Sequence, residues 1–368
     1  AYFRKGDYDR GLALAQAALK IFEETGVEQK DVGNVLRAIG NMHWSKADYD
    51  NALRYQEKSL AVMEKIGEQY GIAAALNNIG NVYHSKLDLD RALGYHERCL
   101  EIKEKIGDKQ GIAGSLNNIG IVLYCKTELD GALGYLRRSL VIMEKIGDKH
   151  GLAKSLGNIG LVHRGNGELE KALECYERSL EIKEKIGDKQ GIASSLNNIG
   201  NVHADKGEPD RALGYLERGL EIMEMIGNRQ GVAESLASIG SVYLNKGEMD
   251  RALGLYTRCQ DISKKIGSNR DLMASNCGLA EAHLGLNNIP CALEHAETAV
   301  EISLETGDKG EEANSRWILG KVLREMGEFG KAKEEIEKSI SIGQKAGDMI
   351  NLQTAYYEYG LLFKAMGD

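Results

Sequence analysis

The sequence predicts an all-α protein, an α-solenoid made of antiparallel helix pairs. A 20-residue segment at 107–126, GDKQGIAGSLNNIGIVLYCK, returns almost unchanged at 187–206, and related segments begin every 40 residues from Gly67 to Gly347. Fixed periods of 20–50 residues are typical of solenoids and propellers. Propeller blades need strands rich in β-branched and aromatic residues. Only 6% of this chain is aromatic and only two prolines occur, so helices are favoured.

Each 40-residue unit is predicted to contain two helices. Within residues 108–146, apolar residues recur at helical spacing from Ile112 to Leu123 and again from Leu129 to Met143. The linker between them is short, around Lys126–Glu128. The pattern therefore predicts a first and a second helix in every unit.

The ends of the predicted helices carry suitable residues. Gly107 fits the left-handed position after a helix, and Asp108 fits the N-cap of the next one. Pro209 and Pro290 both fall in the first turn of a second helix, where proline is tolerated. We expect the second helices to extend to Ile106 and Ile186.

Small residues mark the predicted contact between the two helices of a unit. Glycine recurs on the first helix and alanine on the second, and Ala280 replaces one glycine. Small residues on facing helices let the two axes approach closely. The positions are Gly40, Gly80, Gly120, Gly160, Gly200, Gly240, Gly320 and Gly360, and Ala52, Ala92, Ala132, Ala172, Ala212, Ala252, Ala292 and Ala332.

These positions give the chain a family resemblance. Its segment Leu236-x2-Ile239-Gly240-x2-Tyr243…Ala252-x3-Tyr256 resembles the tetratricopeptide repeat pattern W-x2-L-G-x2-Y…A-x3-F. The closing proline is absent and the period is 40 rather than 34, which is similar to the long-repeat subgroup of kinesin light chain and the Pins-type spindle-orientation adaptors. Near-identical arrays also look like those joined to signalling or protease domains in large bacterial proteins. The resemblance implies a right-handed superhelix with a concave groove lined by first helices.

The resemblance covers essentially the whole chain. We expect a single array over residues 1–368 with about eight to nine repeats. Residues 1–30 form a partial first repeat that is truncated mid-repeat, with residues 1–6 as the end of a first helix. Residues 31–266 form regular repeats and residues 267–368 form divergent ones. The sequence is therefore interpreted as a segment of a longer array or protein.

Composition excludes some partners and compartments. The net charge of −8 argues against nucleic acid as a partner, because phosphate binding needs clustered Lys and Arg. No apolar run approaches the length of a membrane span, so no membrane partner is expected. The six cysteines include no CxxC pair, which suits a reducing interior, and a cytoplasmic location is predicted.

Catalysis is not expected. The sequence contains no HExxH, GxSxG or GxxxxGK[ST] motif, and units of equal length leave no inserted loop to carry reactive groups. Histidines 43, 163, 203 and 283 occupy the register of Tyr83 and Tyr243, so they are interpreted as core residues. One histidine per repeat cannot close a metal site, because neighbouring repeats lie about 10 Å apart. We predict no metal and no cofactor.

Asparagine is the candidate functional residue. Ten asparagines lie on the predicted first helices, off the Leu, Ile and Gly stripe, where helix propensity does not explain them. Two interpretations remain open. The amides could tie adjacent helices together, or they could line the groove and bind the backbone of an extended ligand, as the resemblance to the long-repeat adaptors implies. The asparagines are Asn41, Asn77, Asn78, Asn81, Asn117, Asn118, Asn158, Asn197, Asn198 and Asn201.

Neighbouring positions on the same face are candidates for specificity. They are Arg37, Trp44, His84, Tyr124, Lys154 and Arg164. Their positive charge, against a lone Asp205, predicts an acidic segment in the ligand. Each such charge could also be an ordinary solvated group without a function.

The last units differ from the others at these positions. They carry Trp317, Ile318 and Tyr357 where earlier units carry amides. This predicts a different surface, suited to another domain of the same polypeptide. Ordinary decay of the repeat is the alternative.

The predicted function is a non-catalytic scaffold or adaptor that binds a protein or an extended peptide. An alternative is a sensory segment that controls an attached catalytic domain, a protease or signalling enzyme, in a larger bacterial protein. A third is self-assembly through open ends such as Tyr2–Phe3 or Tyr356–Tyr359.

Overall fold

A computed structural model describes residues 8–25, 28–46, 48–307, 309–346 and 349–367. These residues form eighteen α-helices and no strand. Their contacts divide the chain into two compact units, residues 1–158 and residues 159–368, and each unit is described by itself. The predicted helix end at residues 1–6, the end at Tyr2–Phe3 and the repeat start at Gly347 lie outside the described residues.

The helices follow one another with short turns. The first eight are α1 (Tyr8–Thr25), α2 (Gln29–Ser45), α3 (Tyr49–Ile66), α4 (Gln69–Ser85), α5 (Leu89–Ile106), α6 (Lys109–Cys125), α7 (Leu129–Ile146) and α8 (Lys149–Gly165). The others are α9 (Leu169–Ile186), α10 (Lys189–Asp205), α11 (Pro209–Met225), α12 (Arg229–Asn245), α13 (Met249–Ile266), α14 (Asn269–Gly285), α15 (Ile289–Thr306), α16 (Lys309–Glu325), α17 (Phe329–Ala346) and α18 (Met349–Met366).

Even-numbered helices are the first helices of the repeats, and odd-numbered helices are the second helices. Within each of the two compact units, consecutive helices pack together, as α2 packs on α3 and α10 on α11. First helices of neighbouring repeats also touch, as α2 touches α4 and α12 touches α14. The predicted α-solenoid of helix pairs is confirmed, and so are the predicted ends of second helices at Ile106 and Ile186.

The helix ends have the predicted caps. Gly107 follows α5 with φ of 73°, a left-handed conformation that glycine adopts without a steric penalty. The Asp108 carboxylate then accepts a hydrogen bond from the Gly111 amide at 2.9 Å, which satisfies a free donor at the start of α6. Pro209 and Pro290 lie in the first turns of α11 and α15. A two-residue connection between repeats is thus encoded locally.

The glycine positions of the first helices are sites of close packing. A Cβ added at Gly120 would lie 2.6 Å from Leu136 Cγ and 3.2 Å from the Ala132 carbonyl oxygen. The same is true of Gly200, where Leu216 Cγ would be 2.7 Å away. Ala132, like the other alanines of its register, is fully buried. The predicted close approach of the two helices at these glycines is confirmed except at Gly360, where an added Cβ would meet no atom within 4 Å.

Glycines inside the second helices have a different environment. A Cβ added at Gly134 in α7 or at Gly214 in α11 would meet no atom within 4 Å. We therefore expect Gly134→Ala and Gly214→Ala to raise the free energy of unfolding by about 0.5–1 kcal/mol each, because alanine restricts the unfolded chain and favours the helix. Denaturant titration followed by circular dichroism measures this change.

Gly120→Ala is the matched control, since its new methyl group would enter an occupied space. It should lower the same free energy. If Gly134→Ala lowered it to a similar extent, the open surroundings of Gly134 would be refuted.

The histidines in the register of Tyr83 lie in the core or at its edge, as predicted. His203 is buried, stacks on Tyr215 with ring centroids 5.4 Å apart, and places Nδ1 2.8 Å from Glu208 Oε2. The hydrogen bond from His203 lowers the pKa of the Glu208 carboxyl below its usual value. His43 and Asp48 form the equivalent pair at 2.8 Å. The carboxylate five residues after the histidine thus helps fix the turn between first and second helix.

Candidate functional site

The candidate site is the first-helix face, which we define by the positions of Asn78, Asn81 and His84 and their equivalents in other repeats, with Arg37 and Lys154 beside them. Asn81 is half-buried on α4, and Asn198 and Asn201 are half-buried on α10. Within the part of the chain that the structure describes, these three side-chain amides make no hydrogen bond. Each therefore retains a free donor and a free acceptor.

Other asparagines connect neighbouring first helices. In the first unit, Asn118 Nδ2 donates to Asn77 Oδ1 at 2.9 Å, and Asn158 Nδ2 donates to Asn117 Oδ1 at 3.0 Å. In both pairs the donor lies 41 residues after the acceptor. The interpretation that amides tie helices together therefore holds for these four residues.

Asn41 takes part in a related network. Its Oδ1 accepts from Gln56 Nε2 at 2.7 Å and from Asn78 Nδ2 at 2.9 Å. Gln56 also donates to the Arg37 carbonyl oxygen at 3.1 Å. Gln56 is fully buried in α3, so this network extends from the core to the first-helix face.

Asn117 and Asn197 require a correction, because the groove interpretation placed them on an open surface. Asn117 is 2% exposed and Asn197 is 9% exposed. Asn197 Nδ2 donates to Ser235 Oγ at 2.7 Å, and its Oδ1 lies only 2.2 Å from where Gly219 would carry a Cβ. Their register turns toward the packing between helices. These two amides are structural groups.

Aromatic residues occupy one row of the first-helix face in the first unit. Trp44 is 43% exposed, and its Nε1 donates to Ser85 Oγ at 2.9 Å. His84 occupies the same register on α4, and its Nε2 lies 3.5 Å from Cys125 Sγ. Tyr124 is the half-buried equivalent on α6. Three consecutive repeats thus present a ring at the same place.

Burial keeps the histidines of this region neutral. It lowers the pKa of His84 below the usual value. It also lowers the pKa of the nearby His96 to about 4, with smaller effects from His84 and Lys103. At neutral pH, His84 therefore acts on this face as an uncharged ring.

Positive charge on this face is partly compensated. Arg37 donates to Asn34 Oδ1 at 3.1 Å, and Lys154 is exposed. In the second unit, Arg164 Nε lies 2.6 Å from Asp205 Oδ2, so its charge is paired. The helices α4 and α6 contain no Asp or Glu at all. The side chains of α4 and α6 therefore place no negative charge on this face.

The divergent repeats differ from the prediction. Trp317 and Ile318 were expected to be presented at a surface, but they are buried in the core of the second unit. Trp317 Nε1 donates to Asn314 Oδ1 at 3.0 Å, which satisfies the indole inside the fold. Tyr357 is 66% exposed. Two of the three residues thus serve packing.

Ion pairs replace amide pairs between the first helices of these repeats. Lys321 Nζ lies 3.0 Å from Glu281 Oε1, and Arg324 Nη2 lies 3.1 Å from Glu358 Oε2. Glu358 is buried. The loss of asparagine from the registers of Asn78 and Asn81 after Asn201 is therefore accompanied by a change in how neighbouring repeats are connected.

The described ranges contain no group of three or more His, Cys, Asp or Glu side chains that could hold a metal ion. None of their helices combines the length and the hydropathy needed to cross a bilayer.

Comparison with known families identifies the repeat. Sequence models described as tetratricopeptide repeat match residues 1–65, 31–105, 71–145, 111–185 and 191–265, and a second one matches residues 313–343. No curated protein sequence matches the chain.

Solved structures share the fold. A Rap protein complexed with Competence and Sporulation Factor is 16% identical, with 94% of this chain and 96% of that chain covered and a TM-score of 0.67. The apo quorum sensor NprR from B. thuringiensis is 16% identical, with 92% and 98% covered and a TM-score of 0.61. A signal transduction ATPase with a tetratricopeptide repeat sensor from Pyrococcus horikoshii is 16% identical, with 98% and 53% covered and a TM-score of 0.59.

Proposed function

Because this chain belongs to the tetratricopeptide-repeat family, we propose that it is a non-catalytic interaction module that binds an extended peptide or protein segment. The observation that carries this proposal is the set of free amides on the first-helix face. Asn81, Asn198 and Asn201 are accessible and make no hydrogen bond within the described ranges. Amides that hold no structural bond are available to a ligand.

An amide suits an extended ligand because it can donate to a backbone carbonyl and accept from a backbone N–H. Asn198 and Asn201 lie about one turn apart on α10, with about 5–6 Å between Cβ atoms at this spacing. Successive residues of an extended chain rise about 3.3 Å. Neighbouring backbone groups of a ligand can therefore meet both amides whatever its sequence is.

Specificity would come from the rings and charges beside the amides. Trp44, His84 and Tyr124 form an aromatic row in the first unit, and Lys154 is exposed. Lys154 and Arg37 would attract the carboxylates of a ligand, and α4 and α6 carry no Asp or Glu that would repel them. The ligand is therefore proposed to carry an acidic segment, and the six free cysteines support a reducing, cytoplasmic setting.

The test uses peptides selected from a random display library on the full chain. Asn198→Ala combined with Asn201→Ala should weaken a selected peptide by about tenfold, which corresponds to two ordinary hydrogen bonds. The melting temperature should stay nearly constant, because neither amide holds a structural bond. Calorimetry measures the affinity and thermal unfolding measures the stability.

Asn197→Ala is the matched control. It removes the bond to Ser235 inside the fold, so it should lower the free energy of unfolding by about 1–3 kcal/mol. Unchanged peptide affinity in the Asn198 and Asn201 double variant would reject the amide face as the binding site.

A second candidate function is a sensory segment of a larger regulatory protein. The Pyrococcus horikoshii structure favours it, because that protein's name includes a tetratricopeptide repeat sensor and the match covers 98% of this chain but only 53% of the other. The sequence of the flanking gene tests it directly. A neighbouring catalytic domain whose activity changes when a selected peptide is added would support this candidate, and unchanged activity would count against it.

A further inference from the structure

A cleft of about 440 Å³ lies among α15, α16 and α17 of the second unit, away from the first-helix face. Its apolar wall is formed by Leu293, Leu319, Leu323 and Met326. A volume of this size is in the range of ligand sites. Its residues from α16, Leu319 and Leu323, occupy the registers of Ile79 and Tyr83, so the cleft is separate from the site of the proposed function.

The same place is filled by stacked rings in four other repeats. The two positions concerned are those of Leu323 and Glu335, shifted by multiples of 40 residues. The ring pairs are His43–Tyr55 at 5.4 Å, Tyr83–Tyr95 at 5.5 Å, His203–Tyr215 at 5.4 Å and His283–His295 at 5.6 Å between centroids.

In the repeat of α16 and α17 neither position carries a ring. Leu323 replaces the first ring. Glu335 replaces the second, and its carboxylate pairs with Arg316 Nη1 at 2.5 Å and Lys338 Nζ at 2.7 Å. The Glu335 carboxylate is held by these two cations and does not supply the volume of a ring. The cleft lies beside Leu323 and Glu335, where other repeats carry the ring pair.

The cleft has a cation at the position from which an arginine covers a ring in two other repeats. Arg91 lies over the Tyr83 ring at 4.7 Å from its centroid, and Arg251 lies over the Tyr243 ring at 5.3 Å. Lys331 occupies the same register and lines the cleft. A cation over an aromatic face is attractive, so a ring that entered the cleft would find a partner already in place.

Carboxylates outnumber cations at the rim. Glu297, Glu328 and Glu334 line the cleft beside the single Lys331. Lys331 lies 3.4 Å from Glu328, and Glu334 lies 2.7 Å from Lys338 outside the cleft. Positive groups next to an entering ring would therefore be favoured.

We propose that this cleft is a docking site for an aromatic side chain of a partner protein, presented between basic residues. The ring takes the place of the aromatic pair that other repeats supply themselves. The wall of Leu319, Leu323 and Met326 contacts the ring, and the glutamates of the rim contact the basic neighbours.

Three capped tripeptides test the proposal on the full chain: acetyl-Lys-Trp-Lys-amide, acetyl-Glu-Trp-Glu-amide and acetyl-Lys-Ala-Lys-amide. The reporter is the 13C-labelled methyl group of Met326, assigned with Met326→Leu. We expect Lys-Trp-Lys to shift this signal saturably, with a Kd of about 1 mM for a ligand of this size. Glu-Trp-Glu should bind at least about tenfold more weakly, and Lys-Ala-Lys should give no saturable shift.

Leu323→Tyr combined with Glu335→Tyr fills the cleft with the ring pair found at Tyr83 and Tyr95. This variant should keep its helical circular dichroism and lose the response to Lys-Trp-Lys. Leu323→Phe alone fills the wall without removing the Glu335 ion pairs, and it should weaken the response in the same direction. The matched charge variant, Glu297→Gln with Glu334→Gln, should reduce the preference for Lys-Trp-Lys over Glu-Trp-Glu.

Three results would overturn the proposal. One is the absence of a saturable Met326 shift with Lys-Trp-Lys. Another is an equal response to Lys-Ala-Lys, which would show a charge effect without ring insertion. The third is an unchanged response in the folded Leu323→Phe variant.

Discussion

Gly278→Asn should lower the free energy of unfolding by about 3 kcal/mol, because the change overfills a packed core and buries an amide without a partner. A Cβ at Gly278 would lie 2.3 Å from Tyr256 Cζ. Tyr256 is buried between this glycine and Gly240. Urea unfolding of the two proteins measures the difference.

Asparagine is nevertheless the most frequent residue at this position in the other repeats. Asn78, Asn118, Asn158 and Asn198 all occupy the register of Gly278. Most of the lost stability should return when Gly278→Asn is combined with Tyr256→Leu, since leucine stands at the equivalent position in α11 as Leu216. A Gly278→Asn variant as stable as the unchanged protein would show that the Tyr256 ring does not hold this position closed.

Arg324→Met should destabilise the contact between α16 and α18 by about 3–5 kcal/mol, because it leaves a buried carboxylate without its cation. Glu358 has 6% of its side chain exposed, and Arg324 Nη2 lies 3.1 Å from its Oε2. In a repeat protein each unit is stabilised mainly by its neighbours. The loss should therefore appear as faster amide hydrogen exchange in α18, measured by mass spectrometry.

The double variant Arg324→Met and Glu358→Met is the control. Removing both charges together replaces the pair with apolar groups of similar length and should restore much of the protection, because paired burial of charge contributes little net stability. If Arg324→Met left the exchange of α18 unchanged, the ion pair would not be what holds this helix. If the double variant were as unprotected as the single one, shape rather than charge would be responsible.

The fold could be predicted from the sequence because its signals are local and repeated. The cap at Gly107 and the N-cap at Asp108 are decided within a few residues, and the structure places both as expected. The contact at Gly120 follows from the same 40-residue register. Repetition made each of these signals visible several times.

Which asparagine side chains are buried could not be predicted in the same way. Successive residues on a helix are separated by about 100°, so Asn117 and Asn118 point in different directions. Which of them is buried depends on where the neighbouring helices lie, and the sequence of one helix does not contain that information. The structure shows Asn117 buried and Asn118 half-buried.

The cleft beside Leu323 was missed for another reason. Sequence patterns show which residues are present, whereas a cavity results from volume that no residue supplies. Comparing the register of Tyr83 and Tyr95 with that of Leu323 and Glu335 could have revealed the absent rings. Only the packed structure shows that no other side chain fills their place.

The hydrogen bonds between Asn77 and Asn118 and between Asn117 and Asn158 span the same number of residues. Asn77 and Asn117, which occupy the same position in two successive repeats, therefore each accept from the next first helix in the same way. A shortened chain that lacked residues 111–150 would bring Asn158 to the position of Asn118, with its amide facing Asn77. A change of the array by one step of 40 residues at this place would therefore keep this hydrogen bond between neighbouring first helices.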